Sequence, residues 1–306
     1  MIAVFGATGD LGSRIVRLLR AEGHPVRAVS RERRRLDAAV ALGAEPVIAD
    51  LRRPETLGPA LRGVEVVITT ANAVLGRGDN GVREVDLEGN AALIDHSRAA
   101  GVQRFVLVSA LGCRPDHPAD FFRAKAAAGA RLESSGMSGA IVLAAAFMEV
   151  WAGMLGDPVV SGRPVLVFGR GQNPVSFVAS DDVARVTVAL ATGPHRPGVE
   201  RVELGGPEAP TVHEVVALFA SLSGQRPRIR HVPRTVLRAA PPLLRPFAPV
   251  PARLMSAALW MDTADQRLDP TSATARFGPL VSLEDFARAR VSSATRGARP
   301  EGASSA

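Results

Sequence analysis

Apolar residues come in short unbroken runs, separated by stretches with helical spacing. Ile2, Ala3, Val4 and Phe5 make the first run, the mark of a strand covered on both faces of a parallel sheet. Further strands are predicted at Pro25–Val29, Pro46–Ala49, Val64–Thr69, Arg104–Ser109 and Ala140–Leu143. Helical periodicity runs from Ser13 to Arg20, and helices are predicted around Ala38–Leu42 and over Pro54–Arg62, Val82–Ala100 and Ala119–Ser135. Strands and helices alternating with short connections predict an α/β fold, a doubly wound parallel sheet of Rossmann type. Ligands of such a sheet bind at the carboxyl ends of its strands, beside the topological switch point.

After about Glu149 the rhythm breaks. Pro158, Gly162, Pro164, Gly169, Gly171 and Pro174 punctuate short strands, and Ser180–Asp181–Asp182 is expected to cap a helix to about Ala191. Val199–Leu204 and Arg228–Val232 read as strands. Thr211 and Glu214 form a capping box for a helix to Ser221. Prolines break Leu237–Trp260 into helical pieces, and Ser282–Arg290 makes the last helix. The expected division is a nucleotide-binding domain over residues 1–150, completed by 175–192, and a smaller α+β substrate lobe over 151–290. A disordered tail is expected over 291–306, a stretch rich in Ser, Ala, Gly and Arg.

Candidate chemistry begins at the first turn. Gly6, Gly9 and Gly12 follow the first strand and open the first helix, a pattern that makes a pocket for a dinucleotide pyrophosphate. Gly6 permits the tight turn, Gly9 lets backbone approach phosphate, and Gly12 lets helix pack against strand. Thr8, Asp10 and Leu11 complete that contact, with helix N-terminal N–H groups facing the anion. Ser30–Arg31 ends the second strand, where an arginine meets the 2′-phosphate of NADP and an acid meets the ribose of NAD. Guanidinium donors match two phosphate oxygens at once, so NADP(H) is expected over NAD(H), through Arg31 first and Arg34 or Arg35 second. Asp50–Leu51 is expected at the adenine edge, and Ala71–Asn72 beside the nicotinamide-side ribose.

The segments GATGDLG (6–12), VSR (29–31), VIADL (47–51), RFVLVSALG (104–112) and FFRAKAAAGARL (121–132) resemble an atypical short-chain dehydrogenase/reductase. The nearest likeness is to NmrA-like NAD(P)-binding proteins. It continues more loosely through FVASDDVA (177–184), LGGPEAPT (204–211) and FGPLVSLEDFAR (277–288). The resemblance implies a Ser, Tyr and Lys set, with Tyr four residues before Lys on one helix face. Ser109 and Lys125 stand in the serine and lysine positions, and Phe121 occupies the tyrosine position. The chain contains no tyrosine. Lys125 is its only lysine among 37 basic residues, and a compact ammonium suits the space between two ribose hydroxyls. His117, with Asp116 and Glu149 behind it, is the candidate for the missing acid, although its polar, proline-bounded loop reads as solvent-exposed.

Composition narrows the classes further. Cys113 is the only cysteine, so no internal disulfide forms and a reducing cytoplasm fits. The chain opens directly on a strand, so no leader is expected, and no apolar run reaches the roughly 20 residues of a bilayer span. The net charge of +7 comes from arginines scattered along the chain, without zinc-finger spacing or an aromatic RNA platform, so no nucleic-acid partner is expected. The six histidines lack metal-binding spacing, no metal is expected, and no GxSxG elbow surrounds Ser109.

Three readings follow. An NADPH-dependent reductase of a small apolar carbonyl, enone or quinone leads. A non-catalytic NADP(H) sensor with a protein partner comes second, because of Phe121. An accessory role at a membrane surface comes third, through Leu237–Trp260.

Overall fold

Apolar runs that alternate with helices bury both their faces only in a sheet covered on two sides, and the computed structural model has that arrangement. It describes residues 1–194 and 196–297. The strands are β1 Ile2–Phe5, β2 Val26–Ser30, β3 Glu45–Ile48, β4 Val66–Thr69, β5 Arg104–Ala110, β6 Ser138–Ala144, β7 Ala146–Phe147, β8 Val165–Phe168, β9 Phe177–Val178, β10 Val199–Leu204 and β11 Ile229–Val232. The longer helices are α1 Asp10–Ala21, α2 Asn90–Ala99, α3 Asp120–Ser134, α4 Ser180–Thr192, α5 Val212–Ser223, α6 Arg234–Leu244, α7 Pro249–Met261 and α8 Leu283–Gly297. Seven parallel strands lie in the order β10–β6–β5–β4–β1–β2–β3, so the direction of winding reverses between β1 and β4.

Each face of the sheet carries its own core. Ile15 and Leu19 of α1 and Val183 and Val186 of α4 pack with Val4 and Val106 on one face. Leu93, Ile94 and Leu132 pack with Phe5 and Phe105 on the other. A third core joins Val165 and Val167 of β8 to Val215 and Phe219 of α5 and Ala287 and Val291 of α8. Arg104, buried at the start of β5, donates to the Leu190, Ala191 and Gly193 carbonyls and so satisfies the C-terminal end of α4.

Several local expectations change. The helix over Val82–Ala100 opens with wide π turns over Arg83–Gly89, because the buried Asn90 amide donates to the Val85 and Asp86 carbonyls. Pro54–Arg62 shortens to a 3-10 turn, Pro54–Thr56, and a single helical turn, Leu57–Ala60, which contains Gly58 and Pro59. The start of α4 is not capped by Ser180–Asp181–Asp182. The Glu149 carboxylate reaches across and accepts the Ser180 N–H at 3.0 Å. The capping box at Thr211 and Glu214 forms as expected, and α5 runs on to Ser223. The last helix does not stop at Arg290 but continues to Gly297, since Val291 is buried in the third core; the expected tail beyond it, 298–306, lies outside the described residues.

Candidate active site

The first turn is tight because nothing larger than glycine fits it. Gly6 has φ +81°, and a Cβ on Gly12 would lie 2.1 Å from the Gly6 carbonyl oxygen. Gly9 differs, since a Cβ there would meet protein only at ordinary contact distance, 3.5 Å from the same oxygen. The close packing therefore belongs to Gly6 and Gly12, and Gly9 leaves open backbone facing the cleft. No side chain caps α1, so its first N–H groups keep their capacity for an anion.

That turn forms one end of a cleft of about 740 Å³ along the carboxyl ends of β1, β2, β4, β5 and β6. The volume suits a dinucleotide together with a small partner. Gly6, Thr8, Gly9, Asp10, Leu11 and Gly12 line it. So do Arg31 and Arg35, Asp50 and Leu51, Ala71 and Asn72, and Ser109 and Lys125.

At the β2 end, the Arg31 guanidinium donates to the Asn80 side chain. Arg35 also faces the cleft, but Arg34 does not: its guanidinium turns outward and pairs with Glu32 at 2.9 Å. Burial would raise the Asp50 carboxyl, yet hydrogen bonds from Arg52, one from its side chain at 2.6 Å, hold it below the ordinary carboxylate range. The Asp50 carboxylate is thus already engaged.

At the other end, Lys125 is only 3% exposed. Its ammonium donates to the Ala71 carbonyl at 3.2 Å and lies 3.1 Å from the carboxylate of Asp86, which is fully buried. The second Asp86 oxygen accepts the Ala73 N–H at 2.8 Å, which ties the pair to the loop after β4. Phe121 stands one turn before Lys125, with its ring 5.6 Å from the ammonium. Ser109 lies one residue before the end of β5, with its hydroxyl 3.6 Å from the Cys113 sulfur. The cleft thus gathers a glycine turn with uncapped N–H groups, Arg35, Arg31 with its Asn80 partner, a hydroxyl and a buried lysine. It offers no phenol.

The profile of the NmrA-like family matches residues 1–276. The chain belongs to that family. Among its curated relatives is the chloroplastic protein "High chlorophyll fluorescence phenotype 244" of Arabidopsis thaliana, 33% identical over 80% of this chain; the match spans 61% of that protein's length. A photosystem II assembly factor, Ycf39 of Cyanophora paradoxa, is 30% identical over 78% of this chain and 74% of its own. An NAD(P)H azoreductase of Xenophilus azovorans is 30% identical over 78% and 79%. Among solved structures, an NADPH-dependent quinone oxidoreductase of Escherichia coli superposes with a TM-score of 0.77 over 95% of this chain and 99% of that one. At 20% identity this is a likeness of fold.

Within this NmrA-like cleft His117 has no place. The expectation of a solvent-exposed histidine and the candidacy for an acid both fail, because His117 is 1% exposed and does not line the cleft. Its ring stacks on Phe122 with centroids 4.2 Å apart and meets the edge of Trp260 at 4.7 Å, while Nδ1 accepts the Ala119 N–H. Burial, with Arg114 and Arg123 nearby, pushes it down to about 4 from the ordinary 6.5. A group lowered in this way withholds its proton from the folded state. The stability it contributes is full above about pH 6.5 and is lost as pH falls toward 4. The urea midpoint should therefore fall between pH 7 and 5 in the native chain, and fall less in His117→Gln; equal slopes would remove His117 from the acid response.

Asp86 and Asn80 were not among the residues singled out in the sequence. Asp86 carries a signal in retrospect: it lies on the same buried helical stripe as Asn90, Leu93 and Ser97. An acid on a buried stripe asks for a partner. Asn80 sits in a glycine-rich loop and carries none. No helix among the described residues is long and apolar enough to cross a membrane, and no cluster of potential ligands suits a metal there.

Proposed function

We propose that this protein is an NAD(P)H-dependent reductase of a small apolar acceptor, most suitably a quinone or enone, with NADP(H) preferred. The observation that carries the reading is the pairing of Ser109 and Lys125 in a dinucleotide-sized cleft that lacks a phenol. The nicotinamide, when bound, supplies hydride. Ser109 offers a hydroxyl to the acceptor's oxygen, and the Lys125 ammonium holds ribose hydroxyls at the spot where it already meets the Ala71 carbonyl. Phe121 cannot hand over a proton, which disfavours a simple ketone, whose reduction yields a strongly basic alkoxide. Quinones and enones yield delocalised anions that take their proton from water afterwards, so the absent acid costs them little. The azoreductase among the relatives supports the same class of electron-poor acceptor.

Arg31 and Arg35 support the NADP(H) preference, with Asn80 releasing Arg31 to the 2′-phosphate. Arg31→Ala should weaken NADPH by about ten- to a hundredfold, the worth of one to two charge-assisted contacts, and leave NADH nearly unchanged. Titration of both cofactors checks it, and equal losses would sink the assignment.

A second reading rests on Phe121 and on the assembly factor among the relatives. It is a protein that binds the cofactor without turning it over and reports its state to a partner. Cofactor titration followed by NADPH oxidation over a quinone and enone panel separates the two. Binding with turnover supports the reductase, and binding without any turnover supports the sensor.

A further inference from the structure

We propose that the hairpin of α6 and α7, with β11 leading into it, is a docking surface for a bilayer that carries anionic lipids. The charge of the chain is localised by its acids rather than its bases. Residues 215–261 hold seven arginines and no Asp or Glu, and the other 30 basic residues balance the 30 acidic ones. The whole surplus of +7 therefore falls in this one segment. Arg234 and Arg253 are used internally, by Asp262 at 2.5 Å and by Asp120 at 2.8 Å. Arg226, Arg228, Arg230, Arg238 and Arg245 are exposed and make no ion pair among the described residues.

The same segment exposes large apolar side chains where the hairpin turns. Leu243 is 74% and Phe247 89% exposed, on either side of Arg245. Arg238 on α6 and Arg245, the residue that follows its last turn, share a groove of about 280 Å³ with Leu259 and Trp260. Guanidinium groups beside aliphatic and indole surface are the chemistry of the headgroup boundary, where apolar side chains enter the acyl region and arginines meet phosphate. An acidic protein surface would satisfy the arginines but leave Leu243 and Phe247 without an apolar partner, and so the bilayer is favoured. The hairpin also touches the cleft, because Arg253 donates to the carbonyl of Val74, one of the cleft's own residues. A docked hairpin would bring the acceptor side of the cleft close to a lipid phase.

The test is co-sedimentation of the full chain with vesicles of phosphatidylcholine alone and of phosphatidylcholine mixed with phosphatidylglycerol. Binding is expected to the anionic vesicles only and to be released by high salt, which shortens the reach of the charges. Arg238→Gln and Arg245→Gln should each weaken it about fivefold, and Phe247→Asp more than tenfold. No binding to anionic vesicles overturns the proposal, and that includes the case in which an acidic protein is the partner. Equal binding to neutral vesicles, or unchanged binding by Phe247→Asp, overturns it as well. Because the readout is sedimentation, the result is independent of whether the cleft turns over NADPH.

Discussion

Asp86→Ala is expected to lower the stability of the folded chain by about 3–5 kcal/mol, the cost of leaving one buried charge without its partner. The carboxylate and the Lys125 ammonium stand 3.1 Å apart with almost no water around either. Removing Asp86 strands the ammonium and also frees the Ala73 N–H that the second oxygen accepts. The double variant Asp86→Ala with Lys125→Met should recover a large part of that loss, because two apolar groups then replace two charges. Urea midpoints of the native chain, the two singles and the double read this directly. If the double is as unstable as Asp86→Ala alone, the pair is not the source of the effect.

Loss of turnover in the same double variant is the second large effect. With stability largely recovered, the variant lacks the ammonium that would hold the ribose and the carboxylate that positions it, and reduction of quinones should fall a hundredfold or more, about 2.7 kcal/mol of barrier. Cofactor affinity should weaken alongside it. A folded double variant that reduces quinones at the native rate would remove Lys125 from the reaction. The complementary change is Phe121→Tyr, which places a phenol one turn before Lys125, where the ring already lies 5.6 Å from the ammonium. It should extend the panel to simple ketones, since a proton donor then stands beside the developing alkoxide.

Much of this was legible in the sequence, and the parts that were not share a cause. Parallel strands buried on both faces leave continuous apolar runs, so β1, β5 and β6 announce themselves, and the turn Gly6–Gly12 is dictated by sterics within seven residues. Ser109 and Lys125 stood out through the family resemblance, and Lys125 also as the only lysine of the chain. His117 read as exposed because Asp116 and Pro118 flank it, but its environment comes from Phe122 and from Trp260, far along the chain. Arg34 and Arg35 are adjacent, and only the short 3-10 turn over Arg33–Leu36 decides that Arg35 faces the cleft while Arg34 turns to Glu32. In the C-terminal part the expected proline break falls between α6 and α7, around Pro246, while the other prolines are accommodated within the helices. Pro249 sits at the first turn of α7, where a missing N–H costs nothing, and Pro241 and Pro242 are tolerated inside α6.

The wide turns over Arg83–Gly89 amount to an insertion written into the helix without a loop to show for it. An α-helix advances about 100° per residue, so deleting one residue there to restore a regular spiral would rotate Asp86 by that angle relative to Asn90 and α2. The carboxylate would leave Lys125 and a neighbouring side chain would take its direction. A gap of one residue at this point in an aligned relative is thus a change of electrostatics disguised as a change of length.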